Sequence, residues 1–179
     1  MTVPRDARLT DDDVARLATD LESFRVERKA AFKPCKAAIE EAICAFSNDL
    51  PGSGEPGYLL VGVDDKSGRP AGLVVDDQLL IDATSIRSDG NILPFPFLVV
   101  HRAVLEGQSI LVIEVRPSPE PPVRLRGRVC VRVGPRRGTA TRDEERILAE
   151  RRRNWDGPFD QRAIAGATLA GTWFTSLLA

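Results

Sequence analysis

Three separated segments hold the residues able to do chemistry: Glu22-Ser-Phe-Arg-Val-Glu27-Arg-Lys29, Tyr58-Leu-Leu-Val-Gly-Val-Asp64-Asp65-Lys66, and Arg128-Val-Cys-Val-Arg132-Val-Gly134. Acids end the first two, and arginines stud the third. Carboxylates beside cationic side chains suit a divalent metal held against a polyanion, with lysine or arginine neutralising a phosphate or a developing negative charge. That combination points to a nucleic acid as the partner chemistry, and to phosphodiester cleavage as a reaction such a set could support.

Each segment also has a plain structural reading. In an unbroken strand Arg25, Glu27 and Lys29 share one face, because side chains alternate along extended backbone. Glu22 lies at an odd offset and joins Glu27 only if the chain bends, with Ser23 the natural place. The plain alternative is a surface strand with a charge pair. Asp64 and Asp65 stand where an apolar strand ends, a place from which rigid backbone delivers side chains to sites. Asp-Asp-Lys-Ser-Gly is equally a solvated hairpin turn, and spacing alone favours the turn. If Val123 to Gly134 is extended, Arg124, Arg126, Arg128 and Arg132 share a face suited to phosphates, while Val129, Val131 and Val133 point to the core. The loop Pro135-Arg136-Arg137-Gly138 continues that basic surface. Its alternative use is solubility and pairing with Glu144 and Glu145.

The elements that must position these residues can be read from pattern. Thr10 before three aspartates caps a helix through Leu21. Phe24 to Ala30 reads as a strand, and Pro34 opens a helix to Asn48 with Ile39, Ile43 and Phe46 as its apolar stripe. After a Pro/Gly loop comes the strand Tyr58–Val63, with Pro70 to Val75 as the expected return of a hairpin. A helix spans about 76–87. Phe97–Leu105 and Ser109–Arg116 flank Glu106-Gly107-Gln108 as a second hairpin. Arg128–Val133 is a further strand, and Thr141-Arg-Asp-Glu144 is a capping box that starts the last helix. Helices interleaved with hairpins predict an α+β fold, with a mixed, hairpin-rich sheet flanked by helices. The domain is expected over residues 1–155, with 156–179 a C-terminal tail or the start of a truncated continuation.

Composition narrows the chemistry. Of 179 residues 42% are apolar and 28% charged, which is a folded rather than a disordered mix. Net charge is −1, so global charge selects no partner, yet residues 123–153 hold eleven arginines against four acids. Cys35, Cys44 and Cys130 show no paired spacing, and His101, the one histidine, lies in an apolar strand pattern. A zinc site and a disulfide framework are therefore not expected, and a reducing cytoplasm fits. No secretory core or membrane-length apolar run is present, so no membrane partner is expected. Gly52-Ser-Gly54-Glu-Pro-Gly57 matches a dinucleotide fingerprint in letters only. It follows a helix, precedes a strand and contains Pro56, so no nucleotide cofactor is implied. Glu27-Arg28-Lys29 with an upstream acid such as Asp20 also fits a restriction-type nuclease strand, but the hairpins argue against that parallel-stranded core. The apolar Trp173, Phe174 and Leu177 would suit docking of a partner or a second copy.

Taken in order, the segments resemble the Schlafen AlbA-like domain family. The matching stretches are Glu22-Ser-x-x-Val-Glu27-x-Lys29, Ile43-Cys-Ala-Phe46-Ser-Asn48, Tyr58 to Ser67, Ile110 to Val115, Pro122 to Gly134 and the helix from Thr141. They span roughly residues 17–155 of what would be a bacterial single-domain or truncated member. The resemblance implies binding of DNA or RNA through a basic surface, here Arg126, Arg128, Arg132, Arg136 and Arg137. In vertebrate Schlafens that cleave tRNA and rRNA, two glutamates and an aspartate serve a metal-dependent endoribonuclease. Their motif positions fall on Glu22, Glu27 and Asp65, with Lys29 beside the second glutamate, so the resemblance implies Mg²⁺ or Mn²⁺ on those three acids if the chain is such an enzyme. The zinc site of vertebrate members has no counterpart. Their two-lobed RNA clamp would require a homodimer of this single lobe.

Overall fold

The computed structural model describes residues 9–20 and 24–155. Helix α1 (Asp11–Thr19) begins at Thr10, whose hydroxyl accepts from Asp13 N–H while the Asp13 carboxylate accepts from the Thr10 amide. Strand β1 (Val26–Lys29), helix α2 (Lys36–Asn48) and strand β2 (Gly57–Val61) come next, then α3 (Asp77–Ser85). The second half contains β3 (Ile92–Leu93), the long hairpin β4 (Phe97–Leu105) and β5 (Gln108–Arg116), β6 (Arg124–Leu125), β7 (Cys130–Val133), β8 (Arg136–Thr139) and α4 (Arg142–Trp155). The fold is α+β.

The main sheet runs β1-β2-β5-β4. β1 lies parallel to β2, with Glu27 opposite Leu59 and Lys29 opposite Val61, and the remaining pairs are antiparallel, so the sheet is mixed. Alternation divides its core in two. Leu59, Val61, Leu111, Ile113 and Val115 face α2 and α3, whereas Val26, Leu60, Ile110 and Val112 face Val14 and Ala18 of α1. Glu27 and Lys29 therefore point to the α2 side. Val26 and Arg28 point to the α1 side, where Arg28 Nε donates to the Ala18 carbonyl at 2.8 Å and caps the C-terminus of α1.

Two expectations need correction. Pro70 to Val75 is not a return strand. Only Val63 bridges Pro70, and the Ala71 amide reaches the Gly62 carbonyl at 2.7 Å before the chain peels away. Pro70 has no N–H for a ladder, and Gly72 turns the backbone left-handed. Nor is 123–134 one extended arginine-lined strand. Arg126 and Gly127 both have positive φ, so the chain folds back in a tight turn between Leu125 and Arg128. The parity of Arg124 and Arg126 is thus broken from that of Arg132. β7 is covered on both sides: Val129 and Val131 pack against Leu148 of α4, while Cys130 meets the α2 cluster. Val133, expected in the core, is 63% exposed.

Asn48, the last residue of α2, joins these layers. Its Nδ2 donates to the carbonyls of Val123 (2.9 Å) and Cys130 (2.8 Å), and its Oδ1 accepts from Val123 N–H at 2.7 Å. Arg151 of α4 donates to the Asp49 carbonyl at 2.6 Å and to that of Leu50, satisfying the C-terminal end of α2. All three cysteines are free thiols. No described helix is long and apolar enough to cross a membrane.

Candidate functional site

Glu27 sits at the centre of the site. β1 delivers it under the β7–β8 hairpin, where Arg132 and Arg137 are directly cross-strand and share a face. Its Oε1 lies 2.8 Å from Lys29 Nζ and 3.3 Å from Arg137 Nε, and its Oε2 accepts from Arg132 Nη1. Arg132 Nη2 also donates to the Val26 carbonyl at 3.0 Å. Glu27 and Arg132 are buried, 8% and 6% exposed. Burial would raise the Glu27 carboxyl, but hydrogen bonds from Lys29 and Arg132 and the charge of Arg137 outweigh it and hold the group below its ordinary range.

Packing fixes this cluster. The Arg132 guanidinium lies 5.5 Å from the centroid of the Phe46 ring on α2. The same ring rests on the backbone of Gly57, where a Cβ would come within 2.3 Å of ring carbons. A glycine is required there for close approach.

Lys29 links the first two sequence segments, since its Nζ is also 3.4 Å from Asp65 Oδ2. Asp64 is used by the turn: its Oδ1 accepts from the Ser67 amide and hydroxyl, both at 2.8 Å, and its carboxyl is held below the ordinary range by those bonds. Asp65 is the carboxylate that faces the site. Gly68 closes the turn against α1, where a Cβ would lie 2.6 Å from the Ala18 carbonyl oxygen. Arg25 precedes β1 and pairs with Glu55 at 3.0 Å rather than joining Glu27.

The expected metal set is Glu22, Glu27 and Asp65. Glu22 lies outside the described residues. Both oxygens of Glu27 are engaged by cations, and three positive groups crowd it, a surrounding that repels a divalent ion. Asp65 meets Glu27 only through Lys29. Among the described residues no group of three acids, histidines or cysteines could hold a metal. The acids described do not fit a metal centre in this arrangement, which is instead a neutralised, buried ion cluster.

The predicted phosphate contacts separate into two kinds. Arg132 is buried with Glu27 and does not present its charge to a phosphate. Arg137 donates to the Ala38 carbonyl (2.6 Å) and pairs with Glu41 (3.1 Å) on α2. Arg126 pairs at 2.8 Å with Glu40, which is 1% exposed and also lies 3.9 Å from Lys36. Arg128 and Arg136 are exposed and have no ion-pair partner among the described residues. Glu40, Glu41, Phe46 and Gly57 were missed in the sequence. Glu40 could have been found, because it stands three and four positions before Ile43 and Cys44 on the buried face of α2, where a carboxylate demands a cation.

A model of the family described as Schlafen, AlbA_2 matches residues 22–141. Among solved structures, the chain is similar to the N-terminal domain of a protein related to the ATP-dependent DNA helicase RecG from Nitrosomonas europaea. Identity is 28% over 58% of this chain and 72% of that one, with a TM-score of 0.47. It is also similar in fold to the DIP2311 protein from Corynebacterium diphtheriae, at 23% identity and a TM-score of 0.53, covering 79% of this chain but only 30% of that one. No curated protein matches in sequence. The family match runs from ahead of the strand that carries Glu27 to the threonine that caps α4, and on that extent the chain belongs to the Schlafen, AlbA_2 family.

Proposed function

We propose that this chain is a nucleic-acid-binding module whose phosphate contacts are made chiefly by Arg128 and Arg136, with Arg126 and Arg137 on their flanks. The observation that carries the reading is the way the β6–β7 turn and the β7–β8 hairpin project these cations beside α2, where Lys36 is also half exposed. Family membership supports it. Arg126 and Arg137 are held by Glu40 and Glu41, so they shape the surface more than they add net charge. The double variant R128A/R136A should weaken binding of labelled RNA and DNA alike and flatten its salt dependence by about two phosphates' worth of slope. Unchanged affinity would sink the reading.

A metal-dependent endoribonuclease acting on structured, tRNA-like RNA is the second reading. The meeting of Asp65 and Glu27 at Lys29 favours it. The engagement of Glu27 by three cations weighs against it, and binding without turnover is the better-supported function. Labelled tRNA incubated with and without Mn²⁺ separates the two. Cleavage that needs the metal and disappears in E27Q would overturn the preference for binding alone.

A further inference from the structure

One polar group of the ion cluster is left unused. The two Nη groups of Arg132 donate to Glu27 and to the Val26 carbonyl, but its Nε–H is buried and has no hydrogen-bond partner among the described residues. A buried donor without an acceptor is costly, and its presence in a packed site calls for a group that completes it. Arg132 also lines a cleft between the end of α2, the 49–57 loop and the chain entering β1, with Phe24, Phe46, Leu50 and Pro51 among its walls. The enclosed part is about 20 Å³, room for one water-sized group, and Phe24, at 38% exposed, stands where the wall meets solvent. Charge argues against an anion there. Arg25 pairs with Glu55, Arg132 with Glu27, and the Asp49 carboxylate accepts from the Ser53 and Gly54 amides. With its cations paired, the cleft lacks one neutral acceptor, carried on a body that can lie against an aromatic wall.

We propose that this cleft reads one unpaired base of a single strand: a ring carbonyl enters it and accepts from Arg132 Nε, while the ring lies against Phe24. The inference rests on the reading of the chain as a nucleic-acid-binding module and gives that module a base preference. Uracil, cytosine and guanine carry a ring carbonyl. Adenine has none and would leave the buried donor stranded. In a duplex the base is stacked between its neighbours and cannot lie on Phe24, so the contact belongs to single strands. The β7–β8 hairpin joins it to the proposed phosphate contacts, because Arg136 is cross-strand from Val133, the residue after Arg132.

The test compares, on the full chain, a short single-stranded adenosine oligomer with the same oligomer in which every second adenosine is inosine, a purine that carries a carbonyl where adenine has an amino group. The inosine strand should bind about fivefold more tightly, the yield of one neutral hydrogen bond. It should also move the ¹H–¹⁵N signal of Arg132 Nε, assigned through bonds from its side chain, which the adenosine strand leaves in place. F24A should remove most of the preference, and F24L serves if F24A fails to fold. Equal affinity with an unmoved Nε signal would overturn the inference and leave the cleft to water, while R128A/R136A would still weaken both strands if the wider reading holds. A preference without movement of that signal would place the carbonyl elsewhere and overturn it as well. If neither strand bound, the inference and the wider reading would fall together.

Discussion

At the residue scale the site is governed by the cost of leaving a buried charge alone. Glu27 satisfies Arg132, and without it the guanidinium stays buried over Phe46 with only the Val26 carbonyl as an acceptor. Removing one member of such a pair costs about 3–5 kcal/mol, so E27A should lose that order of stability by urea titration. The pairing also sets a pH dependence. The Glu27 carboxyl is held below its ordinary value of 4.5, so its stabilisation is present above that value and is lost as pH falls through the lower folded value. E27Q should lose this part of the acid transition, and an identical pH profile in wild type and E27Q would contradict the cluster. Gly57→Ala tests the same unit through Phe46. A Cβ 2.3 Å from the Phe46 ring must displace it, and overpacking of this kind costs about 1–3 kcal/mol. A variant as stable as the parent would mean that Phe46 does not pack against the Gly57 backbone.

At the scale of elements, the end of α2 decides where the basic surface lies. Asn48 holds β6 and β7 through three buried hydrogen bonds, and Asn48→Ala would strand a donor and two acceptors. About 1–3 kcal/mol of stability should be lost, with urea midpoints as the readout. Nucleic-acid affinity should fall with it, because the Arg128 turn depends on that anchor. These elements also show what a sequence can disclose. α1 and α4 were legible from their caps, α2 from its apolar stripe, and the β4–β5 hairpin from two apolar runs around Glu106-Gly107, both of positive φ. The parity of the arginines was misleading because one tight turn at Arg126-Gly127 resets it, and turn geometry outranks alternation. The role of Arg132 was hidden for another reason. Its partner Glu27 is 105 residues away, and only tertiary packing makes a buried arginine tolerable. Lys29 and Asp65 were placed together from the family register, while composition alone left Asp64 equally eligible.

At the scale of the whole molecule, charge in sequence and charge in space differ. Residues 123–153 carry eleven arginines and four acids, which suggests a strongly basic surface. The fold brings acids to it from elsewhere: Glu27, Glu40, Glu41 and Glu120 pair with Arg132, Arg126, Arg137 and Arg152. Arg124 and Arg146 pair with Glu145 and Asp143, and Arg151 donates to backbone carbonyls. Arg128, Arg136 and Arg142 are left with no ion-pair partner among the described residues of this stretch. Two or three free cations predict a modest salt dependence, since each neutralised phosphate contributes about −0.9 to the log–log slope on duplex DNA. The slope should lie at about −2 to −3, whereas the uncompensated linear excess would give about −6. Titrations of labelled duplex across a salt series measure it directly. A slope near the larger value would mean that the paired arginines leave their acids to reach phosphates, and that the ion cluster opens on binding. The smaller slope would mean that it is preserved, with the acids of α2 and β1 setting how much of the arginine-rich sequence a nucleic acid can use.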